Sequence, residues 1–183
     1  MVSELARREA TTDPEGPTLT HIDGAGHARM VDVTGKPSTH RRAVARCRVD
    51  IGETAIATFI ALSTGNPIHG QGPWEELLTH AEMAGIQAAK QTARLIPLCH
   101  PLDASTVHLA LSSKDHGVDI EATAEVVGQT GVEMEALTAC AFAALTVTEA
   151  LVRVDPEVSI TDLGLWEKSG GRSGTWVRQT VQG

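Results

Sequence analysis

Apolar and polar residues alternate in three stretches of the chain and recur at helical spacing in two others. Ala43–Ile51, Thr106–Ser112 and Val118–Val126 alternate, the pattern of strands buried on one face. Lys114-Asp-His-Gly117 lies between the last two and predicts an antiparallel hairpin. From Trp74 to Arg94, residues such as Leu77, Leu78, Ala81, Ala84 and Ala88 fall on one helical face. Pro97 ends that region. Val132–Val154 reads as a second long helix, and Thr130 followed by Glu133 is a capping-box pattern for its start. Thr54–Leu62 predicts a short helix and Val158–Leu165 a last strand. Hairpin strands with two long helices imply an α+β sandwich, an antiparallel sheet with both long helices on one face.

Breakers divide the rest. The polar start, with Asp13-Pro-Glu-Gly-Pro17, reads as a mobile tail over residues 1–18. A single domain is expected over 19–176 and a short tail over 177–183. Asp23-Gly-Ala-Gly26, Thr34-Gly-Lys-Pro37 and the Gly- and Pro-rich stretch Ser63–Pro73 are loop signals. No internal repeat is visible.

Composition narrows the function classes. With 183 residues the chain can bury a sizeable core. Aromatic residues make up only 3% and tyrosine is absent, so the core must be aliphatic and alanine-rich, without platforms for stacking bases. A formal net charge of −8 argues against nucleic acid as a partner. Cys47, Cys99 and Cys140 form no CxxC pair and no zinc spacing, and neither HExxH nor a calcium-loop pattern occurs, so no metal site is expected. An odd cysteine count points to a reducing cytoplasm. No apolar stretch nears the roughly 18 residues that span a bilayer, and the first residues lack a secretory apolar core, so no membrane role is expected.

Three strings carry candidate chemistry. In Leu95-Ile-Pro-Leu-Cys-His-Pro-Leu102, two prolines stiffen the backbone around Cys99 and His100. His100 suits phosphate binding or proton transfer, or simply caps a tight turn. In Thr130–Ala139, Glu133 and Glu135 diverge on a helix. The capping box alone accounts for Glu133, the helix dipole for Glu135, and core filling for Met134. Lys168 precedes Ser169-Gly-Gly-Arg-Ser-Gly174, which has the wrong order for a Walker loop and otherwise reads as a flexible loop. Glu149, deep in the second helix, reads as a solvated carboxylate. On the residues alone, both sides of each choice stay open.

In this order and spacing, the strings resemble the cyclic pyranopterin monophosphate synthase family of molybdenum cofactor biosynthesis, from about Leu19 to Gly174. The resemblance implies a ferredoxin-like fold in a homo-oligomer, a hexamer of dimers with sites at subunit interfaces. It implies a small purine-nucleotide-derived substrate, a cyclised dihydro-GTP. In that lyase reaction the imidazole ring opens, a pyranopterin is rebuilt, and a cyclic phosphate forms with loss of pyrophosphate. No organic cofactor is implied. Glu149 matches the family's aspartate acid/base and, with His100 and Lys168, would be catalytic. Leu98, Cys99, His100, Glu133, Met134, Glu135, Arg41 and Lys90 would hold substrate. His21 and Asp32 also match family positions. The chain departs from the pattern at four cationic positions: Trp74 and Val152 stand for two catalytic lysines, Glu82 and Gln91 for two arginines. Two alternatives therefore accompany the synthase reading: a divergent paralogue acting on a different purine-nucleotide-derived substrate, and a non-catalytic oligomer partner.

Overall fold

The structure, a computed structural model, describes residues 21–63, 72–102 and 104–179. The expected tail over 1–18, most of the Ser63–Pro73 loop and the last four residues lie outside the described residues. In chain order the elements are β1 (Thr39–Asp50), α1 (Ala55–Leu62), α2 (Pro73–Ala89), α3 (Thr92–Leu95), β2 (Thr106–Ser113), β3 (Gly117–Gly128), α4 (Glu133–Leu151), β4 (Ser159–Ser169) and β5 (Trp176–Val177). The strands form one antiparallel sheet in the order β2-β3-β1-β4-β5. Together with the helices this is an α+β arrangement of the ferredoxin-like kind.

The alternation in β1 does what its period demands. Ala43, Ala45, Cys47 and Val49 point into the core, where α4 packs with Ala136, Ala139, Cys140, Ala143 and Val147. Arg42, Arg46 and Arg48 emerge on the other face and pair with Glu167, Glu121 and Asp119 at 2.6–2.7 Å. The two cysteines of the core touch, Sγ to Sγ at 3.2 Å.

Small residues set the closeness of the helix layer. α2 lies beside α4 on the same face of the sheet. At Gly85 a Cβ would stand 2.7 Å from the Ala139 carbonyl oxygen, so only glycine permits this crossing. The β2–β3 hairpin turns through Asp115 and His116, at φ 46° and 58°. Those left-handed angles are what a two-residue type I′ connection requires.

The expected long helix from Trp74 to Arg94 is two helices. α2 stops at Ala89, Gln91 leaves helical geometry at φ −112°, and the Thr92 hydroxyl donates to the Ala89 carbonyl at 2.9 Å. Pro73 opens α2 instead of closing the loop before it, since the first helical position needs no backbone N–H partner. The capping box does not form: Val132 occupies the N-cap without a side-chain bond, and Glu133 turns elsewhere. β5 extends into the stretch read as a tail. α4 is long and apolar enough, by length and composition, to cross a membrane, which corrects the expectation that no stretch nears that length. Half of it is buried inside the fold, as a core helix requires.

Candidate active site

Most of the predicted residues converge on the first turn of α4. Lys168, at the end of β4, reaches Glu133 at 3.4 Å. The Glu133 carboxylate folds back over Gly131, where a Cβ would collide with it. Beyond Lys168 the chain turns through Gly170 and Gly171, at φ 94° and 72°. Side chains there would strike the His40 carbonyl and the Arg41 guanidinium. The glycines thus let the loop close over Arg41. A recess of about 30 Å³ remains between Arg41, Arg42, Glu133, Lys168 and Ser173.

Arg41 is already engaged. Its Nε donates to the Gly128 carbonyl at 3.0 Å and an Nη to the Gln129 carbonyl at 3.1 Å, so it braces the turn between β3 and α4.

The loop after α3 carries Leu98, Cys99 and His100, all half-buried. The Cys99 N–H donates to the Ile96 carbonyl at 3.1 Å and closes the turn. His100 Nε2 lies 2.7 Å from the Val31 carbonyl oxygen. A carbonyl only accepts, so Nε2 carries the proton and Nδ1 presents a lone pair in the neutral ring. Nearby, the Thr34 hydroxyl and N–H hold the Asp32 carboxyl below its ordinary range.

Glu135 is 4% exposed. Burial pushes its carboxyl up to about 7, and the Glu133 charge adds to the rise. Burial, with the Glu135 carboxylate, also raises the Cys99 thiol. Glu135 borders a cavity of about 240 Å³ shared with Lys90, Gln91, Arg94, Pro101 and Leu102. One helix end therefore collects an acid that is half-protonated near neutrality, an ion-paired lysine and a histidine of defined tautomer. Such a set can bind an anion and relay protons. Met134, read as a possible core filler, is instead 36% exposed.

Glu149 stands apart. It is exposed near the other end of α4, about 24 Å from Glu133 at 1.5 Å rise per residue. Within one chain the acid does not meet the other predicted residues. Val152 caps that same end, with Arg153 exposed beside it. Trp74 is buried and its indole N–H donates to Ser113 Oγ at 2.8 Å, with its ring edge-on to Phe59. It anchors the start of α2 and leaves no room for a charge. Gln91 borders the 240 Å³ cavity, and Glu82 is half-exposed on α2. Sequence reasoning missed Val31 and Gln129. Val31 acts through its backbone carbonyl, which leaves no mark on residue type.

A family model described as the MoaC family matches residues 30–171. A protein of Thermomicrobium roseum named cyclic pyranopterin monophosphate synthase is 50% identical over 163 residues, covering 88% of this chain and 93% of the relative. A protein of that name from Streptomyces avermitilis is 47% identical over 174 residues, covering 94% and 97%. Another, from a Nocardioides species, is 46% identical over 164 residues, covering 87% and 95%. The chain belongs to the MoaC family.

Proposed function

We propose that this chain is a cyclic pyranopterin monophosphate synthase, a lyase that converts a cyclised dihydro-GTP into the cyclic pyranopterin with release of pyrophosphate. The observation that carries this reading is the shared name of relatives about half identical over nearly the whole chain. It favours the synthase over a redirected paralogue or a silent partner. In this reading the 240 Å³ cavity takes the heterocycle, with Glu135 and the Leu98–His100 loop around it. Lys168 meets the phosphates, Lys90 and Met134 contribute to binding, and Arg41 supports the site from behind. Glu149 serves as acid/base in place of an aspartate.

The separation of Glu149 from Lys168 supports a site shared between copies in a homo-oligomer. Met134, Phe142, Leu145 and Val152 leave an apolar stripe exposed along α4. Two copies crossing antiparallel on this stripe would bring the Glu149 of one to the Lys168 of the other. The acidic, cysteine-reduced chain fits the cytoplasm. The test is direct: purified protein with cyclised dihydro-GTP, followed by pyrophosphate release and pterin fluorescence. Turnover is expected. Absence of product where the Thermomicrobium relative turns over would overturn the reading.

A further inference from the structure

Gln129 sits in the turn between β3 and α4 and touches two parts of the molecule that are distant in sequence. Its side-chain amide nitrogen donates to the Lys36 carbonyl at 3.0 Å and, more weakly, to the Thr34 carbonyl at 3.4 Å. Both neighbours are carbonyls, so the nitrogen, not the oxygen, must face them. Its own backbone carbonyl is held by Arg41. Gln129 therefore ties the arm from Met30 to Lys36 to the start of α4.

That arm contains no helix or strand of its own. Its shape is local. The Asp32 carboxylate accepts from the Thr34 N–H at 2.9 Å and from the Thr34 hydroxyl, and the Lys36 N–H returns to the Val33 carbonyl at 2.9 Å. Its C-terminal end runs into β1 at Thr39, and the Gln129 amide adds two contacts from the start of α4. The far end of the arm presents the Val31 carbonyl to His100. The hydrogen bond made by one ring nitrogen decides which nitrogen is free for chemistry.

We propose that Gln129 is a positioning residue: through the arm it holds the Val31 carbonyl on His100, so that Nδ1 is the nitrogen offered to substrate. Gln129 itself touches no reacting atom. The proposal rests on the reading of His100 as part of the site. Without the amide, the arm keeps its turn and its join to β1 but loses its tie to the start of α4, so the Val31 carbonyl can shift and the imidazole is free to rotate or exchange tautomers.

The experiment compares three variants of the full chain. Gln129→Glu keeps the shape and removes the donors. Gln129→Met does so without adding charge, in case the glutamate variant fails to fold. Gln129→Lys restores a donor. With ¹⁵N-labelled histidine and a His100→Asn spectrum for assignment, the wild type should show a protonated Nε2 and an unprotonated Nδ1 at residue 100. The donor-less variants should show mixed tautomers, kcat lowered roughly tenfold or more with KM little changed, and a thermal midpoint lowered by only about 2–4 °C. Lysine should return both the ring signals and most of the rate. Unchanged His100 signals in both donor-less variants overturn the proposal, whatever their activity. If the ring signals change as stated while wild type turns over no cyclised dihydro-GTP, the positioning role stands and the synthase reading falls.

Discussion

Lys168 stands 3.4 Å from Glu133, and this contact joins the end of β4 to the first turn of α4. About a third of each side chain is exposed, so the pair contributes no more than about 1 kcal/mol to stability. Its value is placement: it holds an ammonium at the edge of the recess that Arg41 and the Gly170-Gly171 turn complete.

Replacing that lysine should therefore separate activity from stability. Lys168→Ala is expected to lower kcat/KM by roughly a hundredfold, as loss of a charge-assisted phosphate contact does, while unfolding by urea shifts by less than about 1 kcal/mol. Parallel kinetics and denaturation curves check this. A stability loss as large as the kinetic one would make the lysine structural.

Glu135 should make stability depend on pH in the direction opposite to an ordinary ion-paired carboxylate. Its folded value, about 7, lies above the ordinary 4.5. The folded state holds the proton more tightly, so this contribution is full below about 4.5, declines as pH rises to about 7, and is then gone. The linkage amounts to roughly 3 kcal/mol. Glu135→Gln should flatten that decline, giving a variant that gains on wild type between pH 4.5 and 7. Denaturation midpoints across this range measure it, and parallel curves would refute it.

If sites are shared between copies, two dead enzymes should make a live one. Glu149→Gln and Lys168→Ala homo-oligomers are each expected to be nearly inactive. Mixed after dissociation and reassembly, some sites would receive Glu149 from one copy and Lys168 from the other. Recovered pterin fluorescence in the mixture is the expected result. A mixture as inactive as its parents would mean that Glu149 and Lys168 do not complete one site between copies.

Trp74 should behave as a core residue. Trp74→Ala removes a buried ring packed on Phe59 and the hydrogen bond to Ser113, with an expected loss of roughly 3–5 kcal/mol in unfolding free energy. Trp74→Phe, which gives up mainly the hydrogen bond, should cost about 1 kcal/mol. Calorimetry on the two variants distinguishes an anchor from a functional indole, whose loss would lower turnover without this graded fall in stability.

Much of the fold was legible because period-2 and helical patterns report burial directly. β1, the hairpin and α4 stand close to their expected bounds. The failures lie where the residue pattern is silent or is overridden by a contact made far along the chain. Thr130 and Glu133 have capping-box spacing, yet Glu133 takes Lys168 as partner. The apolar face from Trp74 to Arg94 continues across a break at Gln91 that periodicity cannot detect. At the site, motif strings brought out His100, Glu135 and Lys168. Sequence could not show that Glu149 lies a whole helix away, or that the Val31 backbone carbonyl meets the imidazole of His100.

The glycine at the α2–α4 crossing has a consequence for how this chain can vary. With Gly85 against the Ala139 carbonyl, α4 is clamped near its middle, with Glu133 and Glu135 at one end and Glu149 near the other. Inserting or deleting one residue between Ala139 and Glu149 would swing the acid by about 100° around the helix axis, and the clamp would stop the helix from turning to compensate. Length changes in working relatives should therefore gather in the connecting loops and spare the interior of this helix.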